Sequence, residues 1–542
     1  MHRDASIKTE QHVCWDRCQL SEAKEGSSRR DFLKIAGGFA AGAVVAGAAV
    51  AATQPVVGPA VTQTLTETLT ETAAPSVGDL DAFRSALERD GFTVGQGAAA
   101  VFPLIEAYEA GLIKACWGND PTKPYLVCLV PPSPGEQVPS YKFKVGEFLG
   151  LKGVTILFRM RPDEALIFVG RTPPECKYYG FAGYLMERFY GNESRVIFAD
   201  IADALNHLTI NTEGTPNGAE GNPFDKNTVI VSTADRGINE RVRAAAISAG
   251  YSSSITNTYV IPSPMLKMGL EDDSDTFNFF LRPSVFRDQQ AGNAYVKNPP
   301  TTILRITPKE PVSLNPFSVV ELRVRGTGRT EHDLTPALND LRKAILARHN
   351  DLEATDLEVS DALPEGYEAI QRGINVAGPT RDAIYLWTGG QLQFYPPTPS
   401  LITGKAEKPP KTFTLADDPN EFVIVYGVNH EVSGKAAFSS FTVYGADIWN
   451  GVGGVTSDQY PTAEEYLPGN SNAKRLYTYK IGRRCDGENC YRVPGPGLKA
   501  HGIELDQPIF IIFRVYCEPA TKVGPAKSEI LWDRAIKFSP KS

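Results

Sequence analysis

The stretch TVIVSTADRGINERVRAAAISAGYSSSITNTYVI, Thr228 to Ile261, changes its periodicity twice and so decides the fold class. Residues 228–232 are apolar and β-branched, which predicts a buried strand. Residues 239–249 are rich in Ala and Arg and are followed by Gly250, a residue suited to the left-handed turn that closes a helix. Residues 254–261 return to β-branched and aromatic side chains. Strand, helix and strand in this order make a βαβ unit.

Working outward, short apolar runs bounded by Pro and Gly predict strands at 125–130, 154–158 and 165–169, and further strands at 277–281, 302–306 and 319–325. Thr335 is placed to cap a helix with Pro336 in its first turn and Leu338, Leu341 and Ile345 facing inward. Several strands follow one another without a helix between them. The expected class is therefore α+β, with ferredoxin-like βαβ units over residues 151–378. Ahead of it, residues 77–150 read as a helical lead-in. Leu80, Phe83, Ala86 and Leu87 share one face before Gly91, and Leu104, Ile105 and Tyr108 precede Gly111. Beyond residue 379 the helical signal fades. Strands at 384–387, 422–426, 438–444, 476–481 and 509–516 give a β-rich domain over 379–542, either sandwich-like or an extension of the first sheet. Residues 396–410, rich in Pro and Lys, read as an internal linker.

Near the start, SRRDFLK at 28–34 precedes an apolar run at 35–52 that contains Gly37, Gly38, Gly42 and Gly47. Arg29 and Arg30, followed by Phe32, Leu33 and this weakly hydrophobic segment, resemble a twin-arginine export signal. The resemblance covers residues 1–52. It implies the Tat translocon as a transient partner, export of an already folded chain and an extracytoplasmic location. Ala49 and Ala51 fit a small-x-small cleavage site, and membrane contact is expected only through an uncleaved signal. The repeat TQTLTETLTETAAPS at 62–76 lies in a Thr/Glu-rich linker, 53–76, too polar to bury a core.

The remaining chain has ordinary globular composition, 42% hydrophobic and 22% charged over 542 residues, with room for two or three domains. A net charge of -8 provides no basic stripe, so no nucleic-acid partner is expected. Cys116, Cys128, Cys176, Cys485, Cys490 and Cys517 follow the signal, an even set for an oxidising compartment. Short separations favour Cys485 with Cys490 and, less directly, Cys116 with Cys128.

No motif names a cofactor, and none is assigned. SGKA at 433–436 lacks the glycine and hydroxyl of a phosphate loop. Cys485, Cys490 and His501 do not have zinc-site spacing, and Asp272, Asp273 and Asp275 read as a solvated acidic loop. Two loops at strand ends offer catalytic candidates. Asp235 and Arg236 open the helix of the βαβ unit, where Asp235 also serves as an ordinary cap. His430 follows the apolar strand that ends near Tyr426, with Tyr426 or Glu431 to orient it as an acid or base. Tyr178 and Tyr179 precede residues 181–190, read as an aromatic helix at a pocket or domain junction.

These readings favour an exported binding or structural protein of the cell envelope or exterior. The alternative is a Tat-exported enzyme, either a cofactor-dependent oxidoreductase or a hydrolase without a cofactor. Changing Arg29 and Arg30 together to Lys is expected to abolish export. Fractionation of cells carrying that variant checks it, and unchanged export defeats the signal assignment.

Overall fold

The computed structural model describes residues 78–361, 363–391, 400–485, 487 and 489–541. The export signal, its cleavage site and the 53–76 linker lie outside the described residues. The fold is α+β and rich in strands.

Ten strands build the first sheet: β1 (Phe92–Val101), β2 (Leu126–Leu129), β3 (Ala165–Arg171), β4 (Cys176–Tyr190), β5 (Glu193–Asp200), β6 (Leu205–Asn206), β7 (Asn227–Thr233), β8 (Thr256–Val260), β9 (Thr276–Phe286) and β10 (Thr301–Pro308). Their order is β5-β4-β9-β2-β1-β10-β3-β7-β8, with β6 beside β4. Residues 77–150 thus supply two central strands as well as helices. In β3, Ala165, Ile167 and Val169 face a layer made by helices Leu80–Arg89 and Arg236–Ser248, while Leu166 and Phe168 enter a second core on the other side. A strand buried on both faces must be continuously apolar, as this one is.

The predicted βαβ unit forms: β7 and β8 are parallel neighbours joined through the helix Arg236–Ser248. A ferredoxin-like arrangement separates its parallel strands by another strand. Here the pair is adjacent at the sheet edge, and the sheet's other pairings are antiparallel, so the ferredoxin-like detail is replaced.

Three local expectations are corrected. Residues 181–190 belong to the strand β4 and not to an aromatic helix. Phe181 and Leu185 face one core while Ala182, Tyr184 and Met186 face the other, a period of two that keeps both faces buried. Gly183 is required there, because a Cβ would lie 2.7 Å from the Phe279 ring and 2.9 Å from that of Tyr259. Residues 319–325 form no strand, and Val324 is 79% exposed. Residues 154–158 make isolated bridges at Thr155 and Phe158 only.

Ten further strands follow: β11 (Leu352–Leu357), β12 (Ser360–Asp361), β13 (Ala383–Trp387), β14 (Phe422–Val428), β15 (Phe438–Gly445), β16 (Asn450–Thr456), β17 (Leu476–Gly482), β18 (Cys490–Arg492), β19 (Ile509–Tyr516) and β20 (Arg534–Pro540). They form two five-stranded sheets, β11-β20-β14-β17-β18 and β12-β13-β19-β15-β16. Val423 and Val425 of β14 share a core with Phe441 and Val443 of β15 and with Ile509, Ile511 and Phe513 of β19, the interleaving expected of a sandwich. The other face of β14 presents Phe422, Ile424 and Tyr426 to the helix Thr335–Arg348, which lays down Leu338, Leu341 and Ile345. That helix starts one position earlier than the cap reading required. Thr335 is its first residue, and no side chain caps it.

Phe513 is 1% exposed at the centre of the sandwich. Phe513→Ala is expected to cost ~3–5 kcal/mol, whereas Val324→Ala should stay within about 0.5 kcal/mol. Urea denaturation of both variants measures the contrast.

Candidate functional site

The site begins with the short helix Leu104–Glu109, whose Ile105 and Ala107 are buried. Gly111, at φ 73, turns the chain away in a conformation that favours glycine. The outgoing segment is tied to the β15–β16 connection by the Cys116 N–H, which donates to the Ile448 carbonyl at 2.7 Å. Glu109 is anchored as well, accepting from the Ala500 N–H at 3.2 Å. These ties leave a groove of about 550 Å³ between residues 108–114, 405–406, 447–448 and 499–500. Such a volume falls in the range of about 300–1,000 Å³ usual for small-molecule sites.

Ile113, Ile448 and Ala500 give the groove an apolar lining, together with Tyr108. Its charged groups are unequal. Asp447 pairs with Lys408 at 2.6 Å and Glu109 is held by backbone, but Lys114, Lys405 and Lys499 have no ion-pair partner among the described residues. All three lysines are exposed. Lys499 sits at φ 50, a backbone region that costs an L-residue on the order of 1–3 kcal/mol. Beside the groove, Glu106 has its pKa raised, chiefly by burial, with its own backbone and His501 opposing. His501 Nε2 stands 3.7 Å from Glu106 Oε1. The arrangement can hold an anion by charge and an apolar body by contact.

The catalytic candidates read from the sequence lie elsewhere. His430 is fully buried at the start of the short helix His430–Ser433, and its Nδ1 lies 2.9 and 3.0 Å from the two Glu331 carboxylate oxygens. Its Nε2 is 3.7 Å from Asp533 Oδ2. Burial alone would lower the imidazolium pKa, but Glu331 and Asp533 outweigh it and raise the value to about 10. Neither expected orienting residue takes part. Glu431 pairs with Lys177 at 2.5 Å and accepts from Ser457 Oγ at 2.6 Å, while Tyr426 faces the helix Thr335–Arg348. His430 is a charged core residue, not an exposed acid or base.

Asp235 caps its helix, accepting from the Ile238 N–H at 2.9 Å, and also accepts from the Asn315 N–H. Arg236 lies over the Phe317 ring at 5.4 Å. The chain at 315–317 therefore covers this helix end. Cys485 and Cys490 form the expected disulfide. Cys116 and Cys128 do not pair: Cys116 packs with Ile105 and Ala500, and Cys128 enters the first sheet's core. The acidic loop is only partly solvated, because Asp275 is buried and receives Arg188 through contacts of 2.8 and 2.5 Å.

Sequence reasoning missed the groove because four separated stretches line it. The signal that pointed nearest was the Lys-rich run 396–410, read as a linker. No family model matches the chain, and no curated protein matches it. Among solved structures, an uncharacterised protein from Burkholderia cenocepacia aligns at TM-score 0.32 and 10% identity, covering 85% of this chain and 88% of that one. The VPA0106 protein from Vibrio parahaemolyticus aligns at TM-score 0.35 and 11% identity, covering 84% and 96%. Likeness at this level carries no functional argument.

The His430 contacts predict a pH dependence. The imidazolium stabilises the fold fully below its ordinary value of 6.5 and loses that effect as pH rises through about 10. Glu331, whose pKa is lowered by His430 against the effect of burial, contributes above its ordinary value of 4.5 and loses its effect as pH falls through the lowered folded value. His430→Gln should therefore cost ~3–5 kcal/mol near pH 6, and the difference from wild type should shrink toward pH 10. Denaturant titrations at both pH values check this.

Proposed function

We propose that this chain is exported by the Tat route and acts outside the cytoplasm as a binding protein for a small anionic molecule with an apolar part. The groove between residues 108–114 and 499–500 is its ligand site. The observation that carries the reading is the set of three exposed lysine amines, Lys114, Lys405 and Lys499, around an apolar lining with no carboxylate partner of their own among the described residues. A ligand with a carboxylate or phosphate group would gain charge attraction at the rim and lose apolar surface to the floor. The Cys485–Cys490 disulfide supports the location, since such bonds persist in oxidising compartments. Residues 53–76 would then act as a polar spacer between the signal and the folded body.

The test uses the mature chain recovered from the exported fraction. Isothermal titration against aromatic carboxylates, medium-chain fatty acids and sugar phosphates should find at least one binder. The triple variant Lys114→Ala, Lys405→Ala and Lys499→Ala should weaken that binder at least tenfold in Kd, ~1.4 kcal/mol. Its thermal stability should be retained, because these side chains are exposed. Undiminished binding by the triple variant would show that the ligand sits elsewhere, and no binding to any anion would overturn the proposal.

A further inference from the structure

Where the first sheet meets β19, three cations face one carboxylate inside the protein. Asp120, Lys123, Arg282 and Arg514 are 2%, 4%, 2% and 6% exposed. Asp120 is fully committed: its Oδ2 takes the Lys123 ammonium and lies 3.4 Å from Arg514 Nη1, and its Oδ1 accepts from the Thr122 N–H at 3.0 Å and hydroxyl at 2.7 Å. Arg514 also donates to Thr442 Oγ1 at 3.1 Å and to Tyr444 OH at 2.7 Å.

Arg282 has no carboxylate. Its one hydrogen bond runs from Nη2 to the Gly378 carbonyl at 2.8 Å. Its Nε and Nη1, and Nε of Arg514, are buried donors with no hydrogen-bond partner. Rings supply the rest of the surroundings. The Arg282 guanidinium lies 5.0 Å from the Tyr125 ring centre and 4.8 Å from that of Tyr184, and Arg514 lies 5.6 Å from Tyr385. Burial holds the Tyr125 and Tyr516 phenols well above their usual range, with both guanidiniums opposing, so the two cations converge on the same pair of rings. Burial pushes Lys123 down to about 7, against the pull of Asp120 and with the help of Arg514. Even with Lys123 neutral, two guanidiniums face one carboxylate. A buried charge without a counter-charge is costly, and ring faces return only ~2 kcal/mol each. Tyr125 and Tyr385 keep part of their surface accessible, which gives the cluster a rim.

We propose that Arg282 and Arg514 bind a small monovalent anion at this junction, either free halide or the carboxylate of a small organic acid. The site is separate from the lysine-lined groove. The anion supplies the missing counter-charge and the acceptor for the orphaned guanidinium N–H groups.

The experiment follows thermal unfolding of the mature chain at constant ionic strength while methanesulfonate is replaced by chloride, bromide or formate. Saturable stabilisation is expected, with Arg282→Gln losing most of the anion dependence and the triple lysine variant keeping it. Stabilisation by halides alone identifies a halide site, and stabilisation by formate identifies a carboxylate site. Should Arg282→Gln fail to fold, Arg282→Lys and the anomalous signal of bromide in wild-type crystals serve instead, with the ion expected beside Arg282. Equal melting in all the anions, or bromide found only at the surface, would overturn the proposal.

Discussion

Arg514 sits in β19, a strand buried on both faces, and a guanidinium there dictates what must surround it. Ile509, Ile511 and Phe513 point into the sandwich core, while Phe510 and Ile512 point the other way into a cluster with Trp117, Trp387 and Trp449. Arg514 continues that second face, where no water can take its N–H groups. Breaking a buried ion pair costs more than forming it yields, so its partners are held in place. Asp120 is one of them. It draws the segment after the helix Leu104–Glu109 across the third sheet, and the start of the same segment, Ile113 and Lys114, becomes a wall of the groove.

Other polar groups bind the two regions together in the same way. Tyr178 of β4 donates to Asp382 Oδ2 at 2.8 Å, and Asn206 Nδ2 donates to the same oxygen at 3.0 Å. Burial raises the Asp382 pKa to about 6, and these two donors limit the rise. The Tyr178 ring lies 5.0 Å from that of Tyr516, so this network and the cationic cluster share an aromatic layer. The contacts between the first and third sheets are therefore specific in geometry as well as apolar. A groove at their margin has walls fixed from several directions, which suits a preformed binding site.

The legible parts of the chain were those where local pattern and tertiary environment agree. The βαβ unit, the strands β3, β9, β10, β14, β15, β17 and β19, and the Cys485–Cys490 bond follow from runs of apolar residues or short separation. β4 was not legible as a strand. Its aromatic run is buried on both faces, so it shows no alternation between apolar and polar residues. His430 was visible as a titratable residue at a strand end, but its role depends on Glu331, 99 positions away, which no local spacing can pair with it.

From the sequence alone came the α+β class, the β-rich second part, the resemblance at Arg29 and Arg30 to an export signal and the exclusion of familiar cofactor motifs. Those properties rest on periodicity, composition and contiguous motifs, all local along the chain. Tertiary structure alone decided that the first part is one antiparallel sheet with a single parallel edge pair, that the second is a two-sheet sandwich, and that His430 is a core ion. It also brought Lys114, Lys405 and Lys499 around one groove, and set Arg282 and Arg514 against the same two tyrosines. Each of these depends on charges and faces that meet only after distant strands have paired, and burial then sets what each meeting costs.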